Sequence, residues 1–166
     1  MMFRELFGHY PEKVENFIEE PDLYNHRKEN MQMNKKELIF ETLKKMGYSP
    51  EWDEDGDIAL RYQLKKLYVL TNDDDEPYIS VIMPQFHEIE EGTEPLVLAT
   101  CNKLTRELKM MKVIVDEDFK QVSATNEFYY AGEEGLTLSM RHALELTGVV
   151  RSLFRHVMND LSVSEE

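Results

Sequence analysis

The stretch from Asn34 to Tyr62, NKKELIFETLKKMGYSPEWDEDGDIALRY, narrows the possible folds more than any other part of this chain. Asn34 suits a helix N-cap, because its side-chain oxygen can accept from the free N–H groups of the first turn. Glu37 completes a capping box, and Met33 can staple to Leu38. Ile39, Leu43 and Met46 then form an apolar stripe. Gly47 supplies the left-handed residue that ends a helix, and Pro50 blocks its resumption. Beyond that point the period changes from helical to alternating. An Asp55-Gly56 turn leads into a strand with Ile58, Leu60 and Tyr62 on one side and Asp57, Ala59 and Arg61 on the other. A helix that stops at a glycine and feeds an antiparallel hairpin predicts an α+β domain.

The chain has 166 residues, 42% apolar and 31% charged. A domain of this length buries about 70% of its unfolded surface and needs neither metal nor disulfide to hold a core. The single cysteine, Cys101, cannot pair internally, which fits a reducing cytoplasm. The N-terminal sequence has charges every few residues and no apolar run of signal-peptide length, so the chain is expected to be neither exported nor inserted in a membrane. A net charge of −14 disfavours nucleic acid and anionic lipid, which need clustered Lys and Arg, and leaves cationic or amphipathic protein segments as partners. The acids cluster in connections, where they solvate loops.

Residues 1–33 read as an N-terminal extension packed on the domain, with a short helix from Pro11 to Glu20 stopped by Pro21. The domain spans 34–161, and 162–166 form a disordered tail. Leu67 to Thr71 and Tyr78 to Met83 follow as strands, joined by a polar turn over Asn72 to Glu76, with Pro77 and Pro84 bounding the later strand. Val97, Cys101, Leu104 and Leu108 recur at helical spacing and predict a helix over 94–109. Met111, Val113 and Val115, then Val122, Ala124 and Phe128, alternate as a second hairpin. The expected architecture is an antiparallel sheet of about five strands in the order helix, three strands, helix, two strands, long C-terminal helix.

That last helix, Leu136 to about Leu161, carries the strongest periodicity. Leu136, Met140, Ala143, Thr147, Val150, Phe154, Val157 and Leu161 follow a four-three spacing, but Leu144, Leu146, Leu153 and Met158 occupy flanking positions where a two-stranded coil wants charges. The apolar face is too wide for a seam and suits a sheet. Leu146 and Leu153 remain candidates for self-association.

Catalytic chemistry is not legible. Glu51, Asp53, Asp55 and Gly56 match positions one, three, five and six of a calcium loop, with Asp57 beside them. Position twelve is Tyr62 where a bidentate Glu is needed, and a strand replaces the exiting helix. His142 and His156 are fourteen residues apart on one helix, roughly 21 Å by the helical rise, and cannot share a metal. No His pair has ligand spacing. Cys101 lies on an apolar stripe without a basic neighbour and reads as an inert thiol. Phe128, Tyr129 and Tyr130 suit packing rather than base stacking in so acidic a chain. No Gly-rich phosphate loop or GxSxG sequence is present. No catalytic residue, metal site or cofactor is therefore assigned; a calcium switch or an enzyme using the clustered acids is the alternative.

With LKKMGYSPEWDEDGDIALRY at 43–62, CNKLTRELKMMKVIVDED at 101–118 and ALELTGVVRSLFRHVM at 143–158, the chain resembles the YbjN family. That family carries a provisional label as bacterial sensory transduction regulators, and its fold is similar to that of type III secretion chaperones. The likeness covers about residues 34–160. It rests on Gly47-Tyr48, the Asp-Gly turn, Asn102, Lys112-Val113 and Phe154, which are structural marks. It implies a non-enzymatic module that binds a protein partner or regulates by contact. Secretion chaperones dimerise and hold partner segments along apolar patches, so a homodimer is expected. The resemblance brings no catalytic or ligand residue.

Overall fold

The computed structural model describes residues 35–70 and 78–163. The extension at 1–33, its Pro11 to Glu20 helix, the Met33 staple, the Asn34 cap and the Asn72 to Glu76 turn lie outside the described residues, as do the last three residues of the tail.

Helix α1 runs from Lys35 to Lys45 and buries Ile39, Thr42 and Leu43. It ends as its glycine predicts. Gly47, at φ 89°, donates to the Lys44 carbonyl at 2.9 Å, and Tyr48 donates to the Leu43 carbonyl at 3.1 Å. These two bonds make a Schellman motif, which satisfies carbonyls that the helix leaves free.

Among the described residues six strands follow in one antiparallel sheet, ordered β1-β2-β3-β4-β6-β5. They are β1 (Glu51–Trp52), β2 (Ile58–Tyr62), β3 (Lys65–Leu70), β4 (Tyr78–Glu88), β5 (Met111–Val115) and β6 (Gln121–Tyr129). The two-residue β1 is the outer arm of the acidic hairpin and adds one strand to the five the sequence pattern yields. Trp52 on it stacks on Phe40 of α1, with ring centroids 4.8 Å apart. Strands β2 and β3 are joined by Gln63 and Leu64 alone, at φ 47° and 66°. This is the geometry of a tight hairpin turn, built without the usual Asn-Gly.

Pro84 does not end its strand as expected. The pairing of β4 with β6 shifts between Met83 and His87, and Gln85 takes φ 46° inside that irregularity. The Gln85 N–H is redirected to Ser123 Oγ at 2.9 Å. A bulge accommodates a proline because it removes the need for a ladder donor at that point. β4 therefore continues to Glu88 and brings Phe86 onto Phe154, with ring centroids 5.4 Å apart.

Helix α2 (Glu94–Glu107) has Pro at its first turn and ends at Glu107, two residues before the periodicity suggested, with the backbone extended at Leu108. Helix α3 (Gly132–Val163) is 32 residues long, roughly 48 Å, and runs two residues into the segment read as tail. The wide apolar face lies where its breadth predicted. Leu136, Met140, Leu144, Val150 and Phe154 join Ile39 and Leu43 of α1, Val97 and Leu104 of α2, and Leu60, Val69, Val81 and Ala124 of the sheet in one core. The three helices of the described residues pack on a single face of the sheet. Leu161, at the end of the periodic series, is only partly buried.

Gly148 of α3 has a packing role that periodicity does not reveal. A Cβ there would lie 2.5 Å from Tyr62 Cε1, so the Tyr62 ring sits directly on the helix backbone. Only glycine leaves that space.

Candidate functional site

The acidic hairpin closes on itself. Asp53 Oδ1 accepts from the Asp55 N–H at 3.0 Å and the Asp57 N–H at 2.8 Å, and the Asp53 N–H donates to the Asp57 carbonyl at 2.9 Å. The carboxylate that would sit at position three of a calcium loop thus holds the turn. Glu51 belongs to strand β1 and Asp57 leads into β2, so the four acids lie along a hairpin. Among the described residues, no group of three or more His, Cys, Asp or Glu side chains is placed to hold a metal ion.

The other titratable candidates are placed singly. His142 lies 3.9 Å from Glu145 and His156 lies 3.4 Å from Asp160, both exposed pairs on α3. His87 rests on the Phe154 ring with centroids 4.8 Å apart, and burial, then Arg155, hold its pKa below the ordinary value. Cys101 is buried, and burial pushes its thiol up to about 12, so the thiolate needed for nucleophilic attack does not form near neutrality.

A concavity beside α3 has a different character. A groove of about 580 Å³ opens between α3 and the start of the β5–β6 hairpin. Met110, Phe128, Leu146 and Val149 give it apolar walls, with Asn126 at 4% exposure among its lining residues and Lys109, Ser139, His142 and Glu145 around it. Two of the apolar side chains are open to solvent, Met110 at 58% and Val149 at 41%. Met110 stands at φ 60°, the left-handed region that a side chain with a Cβ rarely adopts. Its carbonyl accepts from the Glu127 N–H at 3.1 Å, which fixes the residue at the mouth of the hairpin. Apolar walls with a few polar groups are suited to an apolar or amphipathic chain segment.

Leu146, singled out for the breadth of the α3 face, lines this groove. Leu153 does not; it is half-buried against the core. Met110, Asn126, Phe128 and Val149 are not legible as a set because they come from a turn, a strand and a helix well apart in sequence. The one available signal was the Met110-Met111 pair, where an apolar residue precedes the alternating strand.

The adjacent edge strand is partly closed. The Val113 N–H of β5 donates to Thr105 Oγ1 of α2 at 3.0 Å. That bond occupies a donor on the side away from β6, where a further strand would otherwise pair.

Comparison with known proteins agrees with the resemblance seen in the sequence. The family model for "T3SS (YopN, CesT) and YbjN peptide-binding chaperone 1" matches residues 34–159. No curated protein matches the chain. Among solved structures, YbjN from E. coli is similar with a TM-score of 0.54 at 10% identity, over 78% of this chain and 92% of that one. A chain of the HopA1-SchA chaperone-effector complex gives 0.49 at 14% identity, over 70% and 92%. The Yersinia pestis type III secretion chaperone SycH, in complex with a fragment of YscM2, gives 0.45 at 13% identity, over 70% and 98%. The YbjN likeness shows a shared fold. Since the family model spans the domain from α1 into the last turns of α3, the chain belongs to the family of T3SS (YopN, CesT) and YbjN peptide-binding chaperones.

Proposed function

We propose that this protein is a non-enzymatic, peptide-binding chaperone-like module that receives a segment of a partner polypeptide in the groove between α3 and the β5–β6 hairpin. The observation that carries this reading is the groove: Met110 and Val149 stand exposed beside buried Phe128, in a chain whose family is defined by peptide binding. The preferred segment is amphipathic with cationic flanks, because an apolar stripe fits the walls and the net charge of −14 attracts basic residues around them. The reading includes a homodimer acting in the cytoplasm. No helix among the described residues is long and apolar enough to cross a membrane.

Affinity capture from the native cell, run in parallel with the full chain and with Val149→Asp, tests the proposal. A polypeptide retained by the natural chain should be lost by the variant, and a synthetic peptide from its contact region should bind the natural chain in calorimetric titration. Equal retention by both would place the binding surface elsewhere. A stoichiometric micromolar site for calcium, magnesium or zinc would instead favour a metal-dependent switch.

A further inference from the structure

Helix α3 carries a second row of residues on the side turned away from the core. Leu138, His142, Glu145 and Val149 follow one another at intervals of four, three and four residues, which places them in one line along the helix. All four are exposed, Leu138 at 61% and Val149 at 41%, while the opposite side buries Met140, Leu144, Val150 and Phe154. A single exposed Leu or Val is ordinary on a soluble protein. The order of this row is what carries information: it reads apolar, His, acid, apolar, and reversed it is its own complement. Laid antiparallel on a second copy, Leu138 of each chain falls on Val149 of the other and His142 on Glu145, each contact made twice by the twofold. Within one chain His142 already lies 3.9 Å from Glu145, so across the axis each imidazole gains a second carboxylate.

Charge selects the same row. A chain of net charge −14 repels a second copy over most approaches. Along this line one acid stands against one His, with Arg141 exposed beside them, so the repulsion is cancelled locally and the pairs are complementary. We propose that two copies of the chain pair through this row, α3 against α3, antiparallel about a twofold axis between His142 and Glu145. The inference rests on the homodimer of the proposed function and names the surface that makes it. Leu146 and Leu153 lie to one side of the row, half-buried against the core, and flank the contact. Val149 belongs both to the row and to the groove, so pairing covers the Val149 wall of each groove. The contact is small, one row from each chain, which suits a dimer that comes apart on dilution.

Disulfide trapping in the full chain tests the register. Leu138→Cys and Val149→Cys proteins, mixed and exposed to a mild oxidant, should give a covalent dimer joined from position 138 to position 149. Either protein alone should give little, because like positions on the two helices are roughly 16 Å apart along the axis. Equal trapping in the unmixed proteins, or none in the mixture, would overturn the proposal. Light scattering gives an independent reading. Leu138 lies outside the groove lining, so Leu138→Asp should shift the mass from two chains to one at micromolar concentration while leaving the groove walls in place. A variant that stays dimeric would put the interface elsewhere. Trapping from 138 to 149 in a chain that captures no polypeptide would remove the groove reading and leave the pairing, and capture by a chain of single mass would do the reverse.

Discussion

Between Tyr62 and Gly148, one missing methyl group decides how closely α3 approaches the sheet. Gly148→Ala adds a carbon 2.5 Å from the Tyr62 ring. The overpacking should cost about 1–3 kcal/mol, partly offset by alanine's intrinsic advantage over glycine in a helix, about 1 kcal/mol. Urea denaturation should therefore show net destabilisation in the natural background and stabilisation once Tyr62→Ala has removed the ring. Failure of the sign to reverse would mean that the contact is slack. Gln63 and Leu64 carry the opposite kind of strain, since both adopt left-handed backbone at a two-residue turn and Leu64 is 97% exposed. Replacing them with Asn-Gly should raise stability by roughly 0.5–1 kcal/mol, read as a higher urea midpoint at unchanged slope. His87 gives a pH signature. Burial first, then Arg155 and Arg151, lower its pKa in the fold, with Glu90 opposing, while the unfolded chain keeps the ordinary value of 6.5. The unfolded state then binds more protons below that value, so this contribution is intact above pH 6.5 and is lost as pH falls toward the depressed folded pKa. His87→Gln should flatten the acid side of the stability profile, and an unchanged slope would assign it to other groups.

The elements differ in how openly the sequence declares them. The end of α1 was legible because Gly47 is the residue a Schellman motif requires, and the observed bonds from Gly47 and Tyr48 complete that motif. The placement of α3 was legible because Leu144, Leu146 and Leu153 widen its apolar face beyond a coiled-coil seam. The Gln63-Leu64 turn was hidden because neither residue announces a left-handed backbone. The continuation of β4 was hidden because Pro84 normally breaks a ladder, and only the Gln85 to Ser123 bond shows how the bulge absorbs it. The groove was the least legible feature, since nothing local in α3 or β6 links Val149 to Phe128. One element-scale expectation follows from the edge of β5. Thr105→Val keeps the shape of the side chain but leaves the Val113 N–H without its acceptor, which should cost about 1 kcal/mol. It should also increase association through the freed edge, visible by light scattering across a dilution series. Stability and mass both unchanged would show that this bond does not protect the edge.

At the scale of the whole molecule, the sheet does two jobs on one face. Its helix-covered face builds the core and, where α3 leaves the β5–β6 hairpin, an open apolar groove of about 580 Å³. The net charge of −14 over the chain is the basis of the proposed preference for a basic, amphipathic segment. The homodimer proposed with this function should give twice the chain mass of 19.6 kDa at micromolar concentration, while a mass of one chain throughout a dilution series would remove it. The central claim is that partner peptide enters the groove. Its most direct measurement is a methyl NMR titration of the full chain, labelled at methionine and valine, with the peptide identified by capture. Saturable shifts at Met110 and Val149, abolished for the same peptide by Val149→Asp, are the predicted result. Saturable binding that leaves both methyls unmoved would contradict it.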